Sequence, residues 1–230
     1  MSEPILGPVI VTGTDTGVGK TITTAAIAAS AKAAGHSVAV VKPVQTGADD
    51  DAAVVRRLAA PDLVTTVARF DHPMAPLAAA REAGRPAMAL SKLLAEIARL
   101  DHDLVLIEGA GGLLVPMGDT GWTVADLARQ LGATAIVVTR GGLGTLNHTA
   151  LTLEALRNRA IPARVVIGAF PAVPQRGRLE RANFADLTVQ AGRLAGVLPP
   201  EAGRMAPSGF AAAAPSWLTR QLHGRLSTVM

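Results

Sequence analysis

The sequence predicts an α/β fold, a single doubly wound and mostly parallel sheet with helices on both faces. Three observations carry that expectation. Short runs rich in Val and Ile end repeatedly in turns marked by glycine or proline. Stretches of helical character separate one run from the next. The residues with chemistry to offer gather just after the runs end. Near-continuous apolar strands alternating with helices imply a parallel sheet buried on both sides. In such sheets ligands bind beyond the carboxyl ends of the strands.

The first strand is expected over residues 8–12, and an alanine-rich helix follows over 20–34, stopping before Gly35. A second strand over 37–41 is expected to break at Pro43. The third, over 104–107, and the fourth, over 135–139, each run into a glycine-rich turn. A fifth covers 163–170 and a sixth covers 192–198, ending at Pro199 and Pro200. Helices fill the intervals at 52–60, 88–100, 123–131, 145–159, 177–191 and 215–225. No repeat, low-complexity tail or linker interrupts the chain, so residues 1–230 read as one domain. Segments 13–21, 42–51, 108–112, 140–147 and 198–203 should therefore meet on one rim.

Composition narrows the function. No run approaches the roughly 18–20 apolar residues of a membrane span. The start, Met1-Ser2-Glu3-Pro4, has no basic region or apolar core of a signal peptide. With no cysteine there is no disulfide, thiolate metal site or cysteine nucleophile. A cytoplasmic protein without membrane or nucleic-acid partners is the expectation. The net charge is only +4, yet the sequence pI is 10.3. Arginine accounts for much of this: only four of the 22 basic residues are lysines, and no Cys or Tyr titrates between the His and Lys ranges. The excess is concentrated in residues 151–230, with ten arginines against four acids.

The most informative stretch is Gly13-Thr14-Asp15-Thr16-Gly17-Val18-Gly19-Lys20-Thr21, after the first strand and opening the first helix. Glycines let backbone amides approach phosphate oxygens, and a helix N-terminus favours their charge. Asp15, Thr16, Gly17, Val18, Gly19, Lys20 and Thr21 are thus the nucleotide loop. Lys20 suits the β- and γ-phosphates, and the Thr21 hydroxyl suits Mg²⁺. The loop is one residue longer than the common form, with Thr14 where a glycine usually starts it.

That loop, with its extra residue, resembles the nucleotide loop of dethiobiotin synthetases. Lys42-Pro43-Val44-Gln45-Thr46-Gly47 is similar to the family's Lys-Pro-Val-x-Ser/Thr-Gly turn. Glu108-Gly109-Ala110-Gly111-Gly112 matches its Glu-Gly-Ala-Gly-Gly, and Leu143-Gly144-Thr145-Leu146-Asn147-His148 matches its Leu-Gly-x-x-Asn-His. Four ordered motifs cover most of the chain.

The resemblance implies an ATP-dependent ligase of biotin biosynthesis on a P-loop fold. Carbon dioxide adds to one amine of 7,8-diaminopelargonic acid, the carbamate attacks the γ-phosphate of ATP, and the second amine displaces phosphate. Lys20, Lys42 and Thr16 would carry the catalysis. Thr21, Asp51 and Glu108 would hold Mg²⁺, with Asp49 and Asp50 as neighbours of Asp51. Thr46, Gly111, Leu143, Gly144, Thr145, Leu146 and Asn147 would bind the diamine, residues 144–147 across a homodimer. His148, lacking an acid–base partner, reads as a helix-start residue with a packing or hydrogen-bonding role. His36, His72, His102 and His223 read as solvated, and Trp122 as core or interface.

Two departures stand out. Relatives carry Asn-Asp after the fifth strand, where the Asn reads adenine; this chain has Gly168-Ala169-Phe170-Pro171. Base contacts would fall to Gly168, Ala169, Pro199 and Glu201, so CTP or other triphosphates should rival ATP. Some relatives also contact the substrate carboxylate with a tyrosine; this chain has none, and Asn183 stands either as a substitute or as a surface residue. Two rival readings share the fold. A P-loop ATPase switch positioning DNA or protein cargo would carry a lysine where Asp15 stands. A cobyrinate-type amidase would need an attached glutaminase domain with a cysteine.

Overall fold

The computed structural model describes residues 3–227; Met1 and Ser2, part of the stretch read for a signal peptide, lie outside the described residues. Seven strands form one sheet in the order β3-β2-β4-β1-β5-β6-β7, with every pairing parallel. They are β1 (Gly7–Gly13), β2 (Val38–Thr46), β3 (Leu63–Phe70), β4 (Leu104–Gly112), β5 (Thr134–Thr139), β6 (Ala163–Ile167) and β7 (Leu194–Val197). The helices are α1 (Lys20–Ala33), α2 (Asp51–Ala59), α3 (Pro76–Glu82), α4 (Leu90–Ile97), α5 (Val124–Leu131), α6 (Thr145–Arg157), α7 (Arg178–Gln190) and α8 (Pro207–Ala213).

Successive strand residues point to opposite faces, so the apolar runs feed two cores. Val9 and Val11 of β1 pack with Ala25, Ile27, Leu58 and Phe210, the side covered by α1, α2 and α8. Ile10 packs with Leu93, Trp122, Leu127, Leu156 and Leu187, the side covered by α4 to α7. Trp122 is core, and its indole N–H donates to Met88 O at 2.8 Å. No helix among the described residues is long and apolar enough to cross a membrane.

Four expectations need correction. The sheet has a seventh strand, β3, which is an edge strand. Its residues are mostly half-buried, and Thr65, Thr66 and Arg69 interrupt the apolar run. Pro43 does not break β2, because the β4 ladder has already stopped at Val41–Ile107. A residue without an N–H is tolerated where one flank has no ladder. Residues 215–225 are not a helix: Val197 N–H donates to Trp217 O and Thr219 N–H to Ala195 O, both at 2.9 Å. That segment instead forms two short 3-10 turns, Ala214–Ser216 and Arg220–Leu222, and only Leu218 and Thr219 between them lie against the edge of β7, in an isolated antiparallel bridge from Leu218 to Gly196. His223 is buried rather than solvated, 2.9 Å from Ile5 O through Nε2 and edge-on to His36.

Candidate active site

The parallel sheet delivers β1, β2 and β4 to one rim, where a cavity of about 600 Å³ opens. Thr16, Gly17, Gly19, Lys20 and Thr21 line it from the phosphate loop, Lys42, Thr46 and Asp51 from the end of β2 and start of α2, and Glu108 and Gly111 from β4. The loop curls because Gly17 and Gly19 take positive φ, 72° and 98°. A side chain at Gly19 would also press on Gly168 O, 3.0 Å from the added carbon. Thr14 N–H ties the loop to β5 through Val138 O at 2.9 Å.

Lys20 points its ammonium at Asp15 O and Gly111 O, at 3.0 and 2.8 Å. Burial, then repulsion from Lys42, pulls its pKa down to about 8 against the pull of Glu108, Asp51 and Asp15. Lys42 is 4% exposed. It contacts Asp51 Oδ2 at 2.5 Å, Glu108 Oε1 at 2.9 Å and Gly109 O at 3.2 Å. Burial pushes Lys42 down, but Glu108 and Asp51 together hold it above the ordinary lysine value. Burial would raise Asp51; Lys42, the Thr21 hydroxyl and Lys20 hold it below the usual carboxylate range. The Thr21 hydroxyl lies 3.0 Å from Asp51 Oδ1 and 2.9 Å from Glu108 Oε1, so its one proton serves two carboxylates.

A hydroxyl and two carboxylates facing a phosphate loop form a hard-oxygen donor set. Mg²⁺ takes one or two carboxylates and keeps several waters, so Thr21, Asp51 and Glu108 fit it. Of the three neighbouring acids, Asp50 is spent on capping α2 through Ala53 N–H (2.9 Å) and pairing with Arg69 (2.9 Å). Asp49 lines the cavity without joining the cluster, and Asp51 turns inward.

Several sequence candidates lie outside this cavity. Val18 is buried beneath the loop. Asp15 accepts from Thr16 N–H and pairs with Arg140, which lowers its pKa. Gly168 is closed against the loop: a Cβ there would sit 2.0 Å from Val18 O. Ala169 and Glu201 are exposed, Glu201 pairs with Arg204 at 2.6 Å, and Pro199 is half-buried. Leu143 is 83% exposed, whereas Leu146 is half-buried against the core. Gly144 and Asn147 are exposed at the start of α6, as is His148, which does not pack there. Thr145 is buried, bonded to Thr139 Oγ1 at 2.7 Å and donating to Arg140 O at 2.6 Å. Asn183 is buried, not a surface residue. Its amide donates to Gly141 O and Gly142 O, at 2.8 and 3.1 Å, which uses both N–H groups.

Sequence reasoning missed Gln45, whose side-chain oxygen accepts Asp51 N–H at 3.2 Å and so orients α2. It missed Arg140, and also Pro73, Met74, Ala75 and Pro76, which wall the cavity. An amide in the midst of a buried strand was the one available signal for Gln45; nothing local marked the others.

A family model described as an AAA domain matches residues 8–208. An ATP-dependent dethiobiotin synthetase of Streptomyces avermitilis is 50% identical over 223 residues, covering 94% of this chain and 93% of that protein. One from Rhodococcus jostii is 48% identical over 216 residues, covering 90% and 93%. Among solved structures, the cell division ATPase MinD of Pyrococcus furiosus aligns with a TM-score of 0.58 at 17% identity, covering 90% of this chain and 97% of that one. At that identity the likeness is one of fold alone.

Proposed function

Because the chain belongs to the ATP-dependent dethiobiotin synthetase family and is a ligase of that kind, we propose that Lys20 and Lys42 bring the reaction's two anions together. The observation that carries this is the convergence of both ammonium groups, Thr21, Asp51 and Glu108 on one cavity behind the phosphate loop. In the first step one amine of 7,8-diaminopelargonic acid bonds to carbon dioxide and loses a proton. A carbamate oxygen then bonds to the γ-phosphorus while the bond to the ADP oxygen breaks. The second amine bonds to the carbonyl carbon, phosphate leaves, and the ring closes.

Lys42, raised and charged, is a poor base and a good counter-ion. It stabilises the carbamate and the charge on the moving phosphoryl group. Lys20 neutralises the β- and γ-oxygens, and Thr16 with the loop amides orients them. Thr46 and Gly111 line the cavity where the diamine would lie. Bound Mg²⁺ would offset phosphate charge, held by Thr21, Asp51 and Glu108. Phosphate release from ATP should require both the diamine and bicarbonate; release independent of either would overturn this reading.

Base selectivity follows from the loop after β6. Gly168 has no room for a side chain, and Ala169 offers none that bonds a base. Backbone atoms near Ala169, Pro199 and Glu201 remain for nucleotide contact, so ATP should outcompete CTP by less than 100-fold in a competition assay. A larger preference would show a base reader elsewhere.

The segment 143–147 points to a homodimer with shared sites. Leu143, in the turn before α6, and Leu151, at the middle of α6, are 83% and 57% exposed, and Asn183 fixes that turn. Sedimentation should give a dimer, and Leu151→Asp should shift it towards monomer and raise the KM for the diamine. A wild-type monomer with full activity would exclude the shared site.

A further inference from the structure

The phosphate loop contains a charge of the same sign as its ligand. Residues 13–21 hold one acid and one base, Asp15 and Lys20, so their formal charges cancel. One oxygen of the Asp15 carboxylate accepts Thr16 N–H at 2.7 Å, and the other pairs with Arg140. The first of these bonds shapes the turn, which gives the acid a structural reason to be there. Neither Asp15 nor Arg140 lines the cavity behind the loop.

Arg140 stands between β5 and α6, and its backbone is anchored. Thr145 donates its one hydroxyl proton to Arg140 O at 2.6 Å. Thr139 must then donate to Thr145, 2.7 Å away, and accept from Thr149 at 2.8 Å and from Thr14 at 3.4 Å. The next two carbonyls, Gly141 O and Gly142 O, take the Asn183 amide. Three successive carbonyls thus have side-chain donors, and a chain of hydroxyls runs from Thr14 of the loop to this turn. A fixed root lowers the entropy lost when a long side chain is held in an exposed ion pair. The side chains of Arg140 and Asp15 are 43% and 51% exposed. Thr16 N–H, then Arg140 and more weakly His148, hold the Asp15 carboxyl below its usual range against the opposing effect of burial. The start of α6 therefore faces the acid with positive charge.

We propose that Arg140 is a positioning residue for the triphosphate, which neutralises Asp15 so that the loop keeps its Asp15–Thr16 turn without presenting a bare carboxylate to the nucleotide. This rests on the reading of residues 13–21 as the triphosphate loop. The charges decide the sign. With Arg140 the loop and its partner sum to one positive charge; without it they sum to zero, and an unpaired carboxylate stands beside a multiply charged anion. Water and salt weaken that repulsion without removing it at short range. An exposed ion pair adds little to folding, so the effect belongs to nucleotide affinity.

The test titrates the full chain with a non-hydrolysable ATP analogue by calorimetry at low ionic strength, free Mg²⁺ being buffered, beside steady-state kinetics. Arg140→Ala should weaken the analogue roughly fivefold and raise the KM for ATP by a similar factor. The kcat and the KM for the diamine should change by less than about twofold, and thermal unfolding without nucleotide should match wild type. Arg140→Lys should stay near wild type, since charge is what the role requires. Asp15→Asn/Arg140→Ala should regain most of the loss, because Asn keeps an oxygen for Thr16 N–H and lacks the charge. Salt at about 0.5 M should close the gap between Arg140→Ala and wild type. Undiminished binding by Arg140→Ala at low salt would overturn the proposal. So would a loss that Asp15→Asn does not relieve, which would put the guanidinium on the phosphates themselves, or a loss confined to the diamine, which would put it on the other substrate. Lys20→Met, run in parallel, separates the two readings. Full analogue binding there would overturn the loop reading and this proposal with it, whereas lost binding there beside unchanged binding by Arg140→Ala would overturn this proposal alone.

Discussion

Replacing Lys42 with alanine is expected to lower turnover about a thousandfold, the scale of one preorganised electrostatic group. It should also destabilise the ligand-free chain by about 3 kcal/mol, because removing one partner strands buried charge. Lys42 separates Asp51 and Glu108, and Glu108 is 1% exposed. Without the ammonium, two carboxylates share a small volume and one must take up a proton. Mg²⁺ should restore part of the lost stability, since the carboxylates that grip Lys42 are those proposed for the metal. Urea unfolding with and without Mg²⁺, beside phosphate release, reads both effects. A variant that loses stability yet keeps turnover within tenfold would make Lys42 structural only. The pH dependence has definite signs. Lys42 is raised on folding, so its stabilisation is present below the unfolded lysine value and lost as pH rises through the folded one. Asp51 is lowered, so its share is present above the unfolded value and lost as pH falls through the folded one.

ATP affinity is expected to fall as pH rises above about 8, the value to which burial and then Lys42 depress Lys20. Phosphate oxygens favour the charged ammonium, so binding above that pH must take up a proton. The slope should approach tenfold per pH unit until the bound-state pKa is reached. Calorimetry near pH 8.5 in two buffers of different ionisation enthalpy should report proton uptake, and Lys20→Met should abolish both uptake and slope. Constant affinity between about pH 7.5 and 9.5 would show that Lys20 is not the titrating phosphate partner. Stability runs the opposite way. A lysine with a folded pKa of about 8 against 10.5 costs roughly 3 kcal/mol below pH 8, and that cost fades as pH rises towards the unfolded value.

The sheet and the reactive rim were largely readable because the same residues do two things. Val9, Ile10 and Val11 are apolar without interruption since both faces of β1 are covered, and such a run is hard to mistake. β3 escaped notice because an edge strand needs only partial cover, and Thr65, Thr66 and Arg69 erase the apolar run. The segment 215–225 looked helical by composition, yet its backbone groups bond to β7, a long-range preference no local window contains. Lys20, Thr21, Lys42 and Glu108 were marked by spacing from glycines and strand ends. Gln45 and Arg140 act by reaching across the fold, to Asp51 and Asp15, and short-range pattern does not encode that reach. Thr145 illustrates the converse: it sits in a recognisable motif, but its hydroxyl is committed inward to Thr139 and Arg140.

The closeness of Gly168 to Val18 decides where on the loop after β6 a base-reading side chain could stand. A side chain at 168 would collide with the backbone of the phosphate loop and spoil the grip on triphosphate before it could read anything. The neighbouring Ala169 is exposed and unencumbered. A side chain that reads a base on this rim would therefore have to come from Ala169 or from the exposed Glu201, and not from 168.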